Sequence, residues 1–351
     1  MKKVAIMTWW HYSNYGTALQ VTALYHVVTK MGYKVDVIDY IPHGRVVKQE
    51  NLKALIKFIY EKICLAINLP YQNDELKIRF EEYRDEYLTF TPKCKTESDL
   101  FLLNDSYEAF VCGSDQIWNP YYTEPYFLLQ DINILKYSYA SSIGVEEFPT
   151  NKIKLYQNTL SKYEKISSRE ETAINILEKL SGKKVFKVLD PTFLLSANEW
   201  NSFAEEKTLE NFNTNSPYIL CYFIAENSSY LKNLKRIQER AKIHRIVILP
   251  MKPSHFIIDG EIIEDAGLQD FIYLINHANL ICTDSFHASA ISINLNKNFV
   301  TFLRFKSNDK SSQNSRIENL LFHYCLHDRL YIDEKDLNKD FITPIDYKRT
   351  N

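Results

Sequence analysis

Glycine-rich loops are missing from this sequence. Its 351 residues include only 8 glycines, and the first strand-to-helix corner, "TWWHYSNYGTALQ" (8–20), contains one of them, Gly16. The dinucleotide fingerprint G-x-G-x-x-G is therefore absent, which argues against a nicotinamide dehydrogenase, even though Asp39 ends the second strand suitably. There is no P-loop and no G-x-S-x-G nucleophile elbow. The six cysteines (Cys64, Cys94, Cys112, Cys221, Cys282, Cys325) include no C-x-x-C pair, which points to reduced thiols and a cytoplasmic protein. The net charge is −2 with no lysine-rich tail, so the footprint of a nucleic-acid partner is lacking. No stretch reaches about 18 uncharged apolar residues, and the N-terminal apolar run is too short for a signal peptide. Neither a low-complexity tract nor a repeat of about 20–50 residues is visible.

What remains is a chain with 25% charged and 45% hydrophobic residues, the profile of a globular protein long enough for two domains. Apolar runs alternate with helical patterns: "VAIMTW" (4–9), helix 17–32 closed by Gly32, "KVDVIDY" (34–40), "YEAFVCG" (107–113), "KYSYASSIG" (136–144), "YEKISS" (163–168) and "KKVFKVLD" (183–190). A second series runs through "PYILCYFI" (217–224), a basic amphipathic helix near 229–242, "HRIVILP" (244–250), helix 268–278 and "NLICTD" (279–284). This alternation predicts an α/β fold of two open parallel sheets facing across a cleft. The polar, Asn-rich stretch 204–217 between the series predicts domains at 1–205 and 206–351. Ligands in such sheets bind beyond the carboxyl ends of strands, so those corners carry the candidates.

Four corners stand out. At the first, Asn14 and Gly16 either let the backbone approach a small ligand or make an ordinary tight turn. At the second, Gly113-Ser114-Asp115-Gln116 offers a bend, a hydroxyl, a carboxylate and an amide before Trp118. Hydroxyl-rich ligands need such paired donors and acceptors; an Asx-type turn is the plainer alternative. The third involves a helix-start pattern, serine followed three residues later by glutamate, which occurs at Ser168–Glu171, Ser196–Glu199 and Ser315–Glu318. The box is structural, but Arg169 and Arg316 inside it oppose the helix dipole. Either neighbouring glutamates offset them, or each guanidinium points forward to grip an anion. At the fourth, Thr283-Asp284-Ser285-Phe286-His287, Asp284 or Ser285 caps a helix and leaves amides that favour an anion. His287, in the first turn, should then stay neutral and serve as general base or, once protonated, general acid.

Two weaker features complete the reading. His323 and His327 stand at i, i+4 around Cys325, but no third ligand lies near in sequence, so no metal site is expected. Segment 51–70 is apolar around most of its circumference with a lysine stripe. It either covers the sheet or a subunit partner, or lies peripherally on an anionic membrane surface.

Taken together, "SNYGTALQ", "VCGSDQIWNP", "ISSRE", "VLDPTFLL" and "CTDSFHASAISINLNKNFVTF" resemble the bacterial polysaccharide pyruvyl transferases over roughly residues 3–330. The resemblance implies two Rossmann-like domains similar to the glycosyltransferase B type. It also implies a reaction that uses phosphoenolpyruvate, with no further cofactor, to place a pyruvate ketal across two hydroxyls of a hexose. Arg169 matches the family's donor-binding arginine in S-x-R-[DE], and His287 the histidine of its R-x-H motif. Ser285 stands where that motif has its arginine, and Arg316 is the expected replacement. The donor side is thus Arg169, Asp284, Ser285, Phe286 and Arg316; the acceptor side is Asn14, Gly16 and Gly113–Gln116. The acceptor is a hexose of a surface-polysaccharide precursor, with a lipid-linked oligosaccharide among the carriers, and a homo-oligomer stays open. The alternatives are a nucleotide-sugar glycosyltransferase of the same fold, using Glu264 or Asp265 for a ribose, and a non-catalytic carbohydrate-binding scaffold.

Overall fold

The computed structural model describes residues 2–41, 74–121, 125–205, 209, 212–226, 228–305, 314–332 and 334–349. The apolar segment 51–70 and Cys64 lie outside the described residues. The strands are β1 Lys3–Met7, β2 Lys34–Val37, β3 Ala109–Cys112, β4 Leu135–Ser138, β5 Ile166–Ser168, β6 Val185–Lys187, β7 Tyr218–Tyr222, β8 Arg245–Leu249, β9 Glu261–Ile262, β10 Leu280–Thr283, β11 Phe299–Phe302 and β12 Leu330–Tyr331. The helices are α1 Tyr15–Lys30, α2 Asp74–Tyr87, α3 Glu97–Leu102, α4 Ile153–Leu160, α5 Glu171–Ser181, α6 Ala197–Glu205, α7 Ser228–Ala241, α8 Leu268–His277, α9 Phe286–Asn294 and α10 Asn314–His323.

The strands form a four-stranded sheet in the order β2-β1-β3-β4, a six-stranded sheet β12-β11-β10-β7-β8-β9, and a pair β5-β6. Every pairing between them is parallel. Parallel sheets bury both faces, so their central strands lack polar alternation. The runs YILCY, LICT and FVTF of β7, β10 and β11 are accordingly buried at every position. Two of the intervening helices end beside a left-handed glycine: Gly32 at φ 90° just past α1, Gly182 at φ 67° after α5.

The chain divides into two compact units. Unit 1 takes Met1–Ile41, Glu82–Trp200 and Phe305–Leu320, and unit 2 takes Pro42–Glu81, Asn201–Arg304 and Leu321–Asn351. The expected boundary at 205/206 assumes consecutive halves, whereas these units exchange segments. The start of α10 shows why. Asn314 is tied to Phe305, its Nδ2 donating to the Phe305 carbonyl at 2.7 Å and its Oδ1 accepting from Phe305 N at 3.2 Å. Arg316 then reaches Asp115 in the body of unit 1 at 3.5 Å. Unit 1 centres on Phe110, Trp118, Phe127, Tyr163 and Leu177. Unit 2 centres on Ile219, Phe223, Tyr230, Ile248 and Phe302.

Candidate functional site

In unit 1 the corner after β3 is built by close backbone approach. Gly113 has φ 157°, and a Cβ there would lie 2.0 Å from the Tyr139 carbonyl oxygen, so no side chain fits. Ser114 is fully buried; its Oγ donates to Ala140 O at 3.1 Å and its amide to Gln20 Oε1 at 3.1 Å. Gln116 is buried too, accepting from Asn119 Nδ2 at 2.9 Å under Gly144, where a Cβ would sit 2.4 Å from Gln116 Oε1. Two residues expected to offer side chains to a sugar thus shape the corner from within. Asn14 likewise serves as N-cap of α1, accepting from Thr17 N at 3.2 Å, and Gly16 lies inside the helix rather than in a turn.

Asp115 is the exception, and it gathers both arginines. Its Oδ1 accepts from Arg169 Nη2 at 3.2 Å and lies 3.5 Å from Arg316 Nη1. Arg169 also donates through Nη1 to Asp190, whose other oxygen accepts from the amide and hydroxyl of Thr192 at 3.0 and 2.9 Å. Glu170 lies 3.8 Å from Arg169 Nε and accepts from Ser142 Oγ at 2.6 Å. Burial by itself would lower the Arg169 pKa; Asp190, then Asp115 and Glu170, outweigh it and hold the guanidinium above its ordinary value. Among the described residues, Arg169 is met by Asp190, Asp115 and Glu170, and Arg316 by Asp115.

The capping boxes expected at these arginines do not form. Ser168 ends β5, and Glu170, extended at φ −108°, is the N-cap of α5 without a side-chain hydrogen bond. Ser315 falls inside the first turn of α10. The box at Ser196 is real: Ser196 Oγ accepts from Glu199 N at 3.3 Å, and Glu199 accepts from Ser196 N at 2.8 Å. Arg169 is pulled out of a helical start by its ion pairs, which a local spacing rule does not register.

In unit 2 the corner after β10 is an ordered relay. Thr283 Oγ1 donates to Tyr222 O at 2.6 Å and accepts from Ser285 N at 3.0 Å. The Asp284 carboxylate is fully buried and accepts from Ile224 N at 2.6 Å, Ala225 N at 2.9 Å and Tyr230 OH at 3.2 Å. Asp284 therefore pins the loop after β7 to the corner, and the cap falls to Ser285, whose Oγ accepts from Ala288 N at 3.3 Å. His287 is the second residue of α9, largely buried, with its ring edge-on to Phe286 at 5.1 Å. Behind it, Ser289 Oγ meets Thr301 Oγ1 at 2.7 Å and ties α9 to β11. His255 braces the neighbouring loop: Nδ1 accepts from Met251 N at 3.1 Å while Nε2 lies 3.3 Å from Ala225 O. That pattern selects the neutral Nε2–H tautomer, and burial, its main cause, lowers the His255 pKa.

One cation at this corner was not expected from the sequence. Arg304, just past β11, donates through Nη2 to the Asp284 carbonyl at 3.1 Å, with Nε 3.8 Å from Asp284 Oδ2. Its signal was available: it is the first charged residue after "FVTFL", a strand ending beside β10. Glu264 and Asp265 follow the short edge strand β9. His327 lies beyond the end of α10, in a short 3-10 turn, so it does not share a helix face with His323.

Among the described residues no helix is long and apolar enough to cross a membrane. The family model described as polysaccharide pyruvyl transferase matches residues 14–304. No curated protein matches the chain. Among solved structures it is similar to the UDP-GlcNAc 2-epimerase of Neisseria meningitidis bound to UDP-GlcNAc, with TM-score 0.50 and 12% identity over 97% of this chain and 95% of that one. The S. aureus MnaA–UDP structure gives TM-score 0.52 and 11% identity over 96% and 86%. At such identity the likeness concerns the fold alone, which is of the glycosyltransferase B type.

Proposed function

Because this chain belongs to the polysaccharide pyruvyl transferase family, we propose that it transfers the enolpyruvyl group of phosphoenolpyruvate to a hexose of a surface-polysaccharide precursor. The product is a pyruvate ketal, and phosphate is released. The observation that carries this reading is the family match across residues 14–304, which spans both the Arg169 segment and the His287 corner.

The chemistry follows from the enol phosphate. A proton added to the methylene carbon makes C2 electrophilic, and a sugar hydroxyl attacks C2 and loses its proton. The C2–O bond to phosphate breaks, and the neighbouring hydroxyl closes the ketal with loss of a second proton. His287 is assigned the proton handling, and the amino end of α9 the anionic donor. Arg169 and Arg316 belong to the donor side only if the donor's carboxylate or phosphate replaces Asp115 on them. The acceptor hexose, lipid-linked oligosaccharide included, is assigned to the unit 1 corners after β1 and β3. There Asn14, Gly16, Gly113, Ser114 and Gln116 set the backbone.

Incubation of the full chain with phosphoenolpyruvate and a lipid-linked oligosaccharide should release phosphate and add the mass of a pyruvate ketal to the acceptor. His287→Asn should lower kcat roughly 10²–10⁴-fold while the protein stays folded. A uridine-nucleotide response with no response to phosphoenolpyruvate would instead select the glycosyltransferase alternative.

A further inference from the structure

We propose that His11 and Asp39 are acceptor-binding residues, which hold neighbouring hydroxyls of the hexose at the carboxyl edge of the four-stranded sheet. The inference rests on the reading that unit 1 takes the acceptor. It gives that acceptor named polar contacts where Asn14, Ser114 and Gln116 are committed to shaping the backbone.

The placement comes from strand pairing. β1 and β2 run parallel with Ile6 opposite Val37, so the residues that follow both strands emerge at one edge of the sheet. Trp10 ties the two exits together, its indole Nε1 donating to the Ile38 carbonyl at 3.0 Å. His11 follows Trp10 and Asp39 follows Ile38, so the two side chains branch from either end of that link. Both are held in place by other contacts. The Asp39 amide donates to Thr91 Oγ1 at 3.1 Å, and its carbonyl accepts from Cys94 N at 2.8 Å. The His11 ring lies against Tyr12, with centroids 4.0 Å apart, and edge-on to Trp10 at 5.8 Å.

What these contacts leave over is the polar chemistry of both side chains. His11 Nδ1 and Asp39 Oδ1 are buried without a hydrogen-bond partner. Among the described residues, nothing bonds to the other ring nitrogen or to the other carboxylate oxygen either. Buried polar groups in native proteins are nearly always paired, because an unmade hydrogen bond is costly, and ligand hydroxyls are partners of the right kind. Burial also raises the Asp39 carboxyl above its ordinary range, an effect that the charge of Lys93 only tempers. Burial and then Arg84 keep the His11 imidazole neutral near pH 7, with one N–H to donate and one nitrogen to accept. A carboxylate that only accepts, beside a ring that does both, matches neighbouring hydroxyls that each donate and accept. Tyr12, 44% exposed, sets an aromatic face next to them. The negative charge of Asp39 repels a doubly anionic donor, so the pair suits the neutral sugar rather than phosphoenolpyruvate.

Saturation-transfer NMR titration of the full chain with methyl glucoside, methyl galactoside and methyl mannoside tests the assignment, beside calorimetric titration with phosphoenolpyruvate. Wild type should bind at least one of the glycosides. Asp39→Asn keeps the volume and one oxygen, and His11→Phe keeps the ring against Tyr12 while removing both nitrogens. Each should weaken glycoside binding roughly tenfold, the loss expected for one hydrogen bond to a charged or buried group. Phosphoenolpyruvate affinity should stay within about twofold of wild type, because the change is local to the acceptor contacts. A merely structural role would move both ligands together. His26→Phe serves as control: it is exposed near the far end of α1 and should bind both ligands within about twofold of wild type. Wild-type glycoside affinity in both variants, parallel loss of both ligands, or no glycoside binding by wild type overturns the assignment. Pyruvyl transfer stands or falls separately, on phosphate release and ketal formation by wild type.

Discussion

His11 shows what one residue contributes beyond its spacing. It sits in the corner after β1 against Tyr12, with ring centroids 4.0 Å apart, and its Nδ1 is buried without a hydrogen-bond partner. Burial first, and then the charge of Arg84, lower its pKa from 6.5 to about 4. Between those values the unfolded chain binds the proton and the folded chain does not, so stability rises with pH across that window. Acidification from pH 6.5 to 4 should therefore lower the melting temperature, and His11→Phe should flatten part of that slope. His255, lowered in the same direction, accounts for a further part. A slope identical in the two proteins would exclude His11 as its source. The residue scale was unevenly legible in the sequence. The Ser285 cap and the early place of His287 in its helix follow from five consecutive residues. The commitment of Asp284 to Ile224 and Ala225, 60 and 59 residues away, follows from no local pattern.

Elements are joined at Arg169, which leaves the end of β5 and reaches Asp190 beyond β6 and Asp115 beyond β3. All of this takes place in a region where the arginine side chain is 3% exposed and that of Asp190 fully buried. Arg169→Ala would leave Asp190 buried without its cation, and a loss of about 3–5 kcal/mol in urea unfolding is expected. The double variant Arg169→Met, Asp190→Asn should recover part of it, because the most deeply buried of the three carboxyl groups is then neutral while Asp115 and Glu170 still lose the cation. Equal losses in the two variants would mean that packing, not charge, sets the cost. The serine-to-glutamate spacing predicts one cap well, at Ser196, and fails at Ser168 and Ser315. The spacing states that a cap is geometrically possible. Whether the backbone turns helical there depends on what else holds the intervening residue, and at Arg169 that holder is two carboxylates.

For the whole molecule, the segment exchange has a consequence. Residues 1–205 contain all strands of unit 1 but lack Phe305–Leu320 and therefore the Arg316 contact to Asp115. Expressed alone, that fragment should exchange amide hydrogens faster around Gly113–Gln116 than the full chain does; equal protection would show that the segment adds nothing to the corner. The alternation of apolar runs and helical patterns, the corners at strand ends and the family resemblance were all present in the sequence. Each is written within a few residues, where period, capping and turn chemistry act. The tertiary structure alone decided which carboxylates the arginines meet, that Arg304 accompanies Ser285 and His287, and which segments complete which unit. Parallel strands adjacent in space are separated in the chain by whole crossovers, and Coulomb and hydrogen-bond energies depend on distance in space rather than along the sequence.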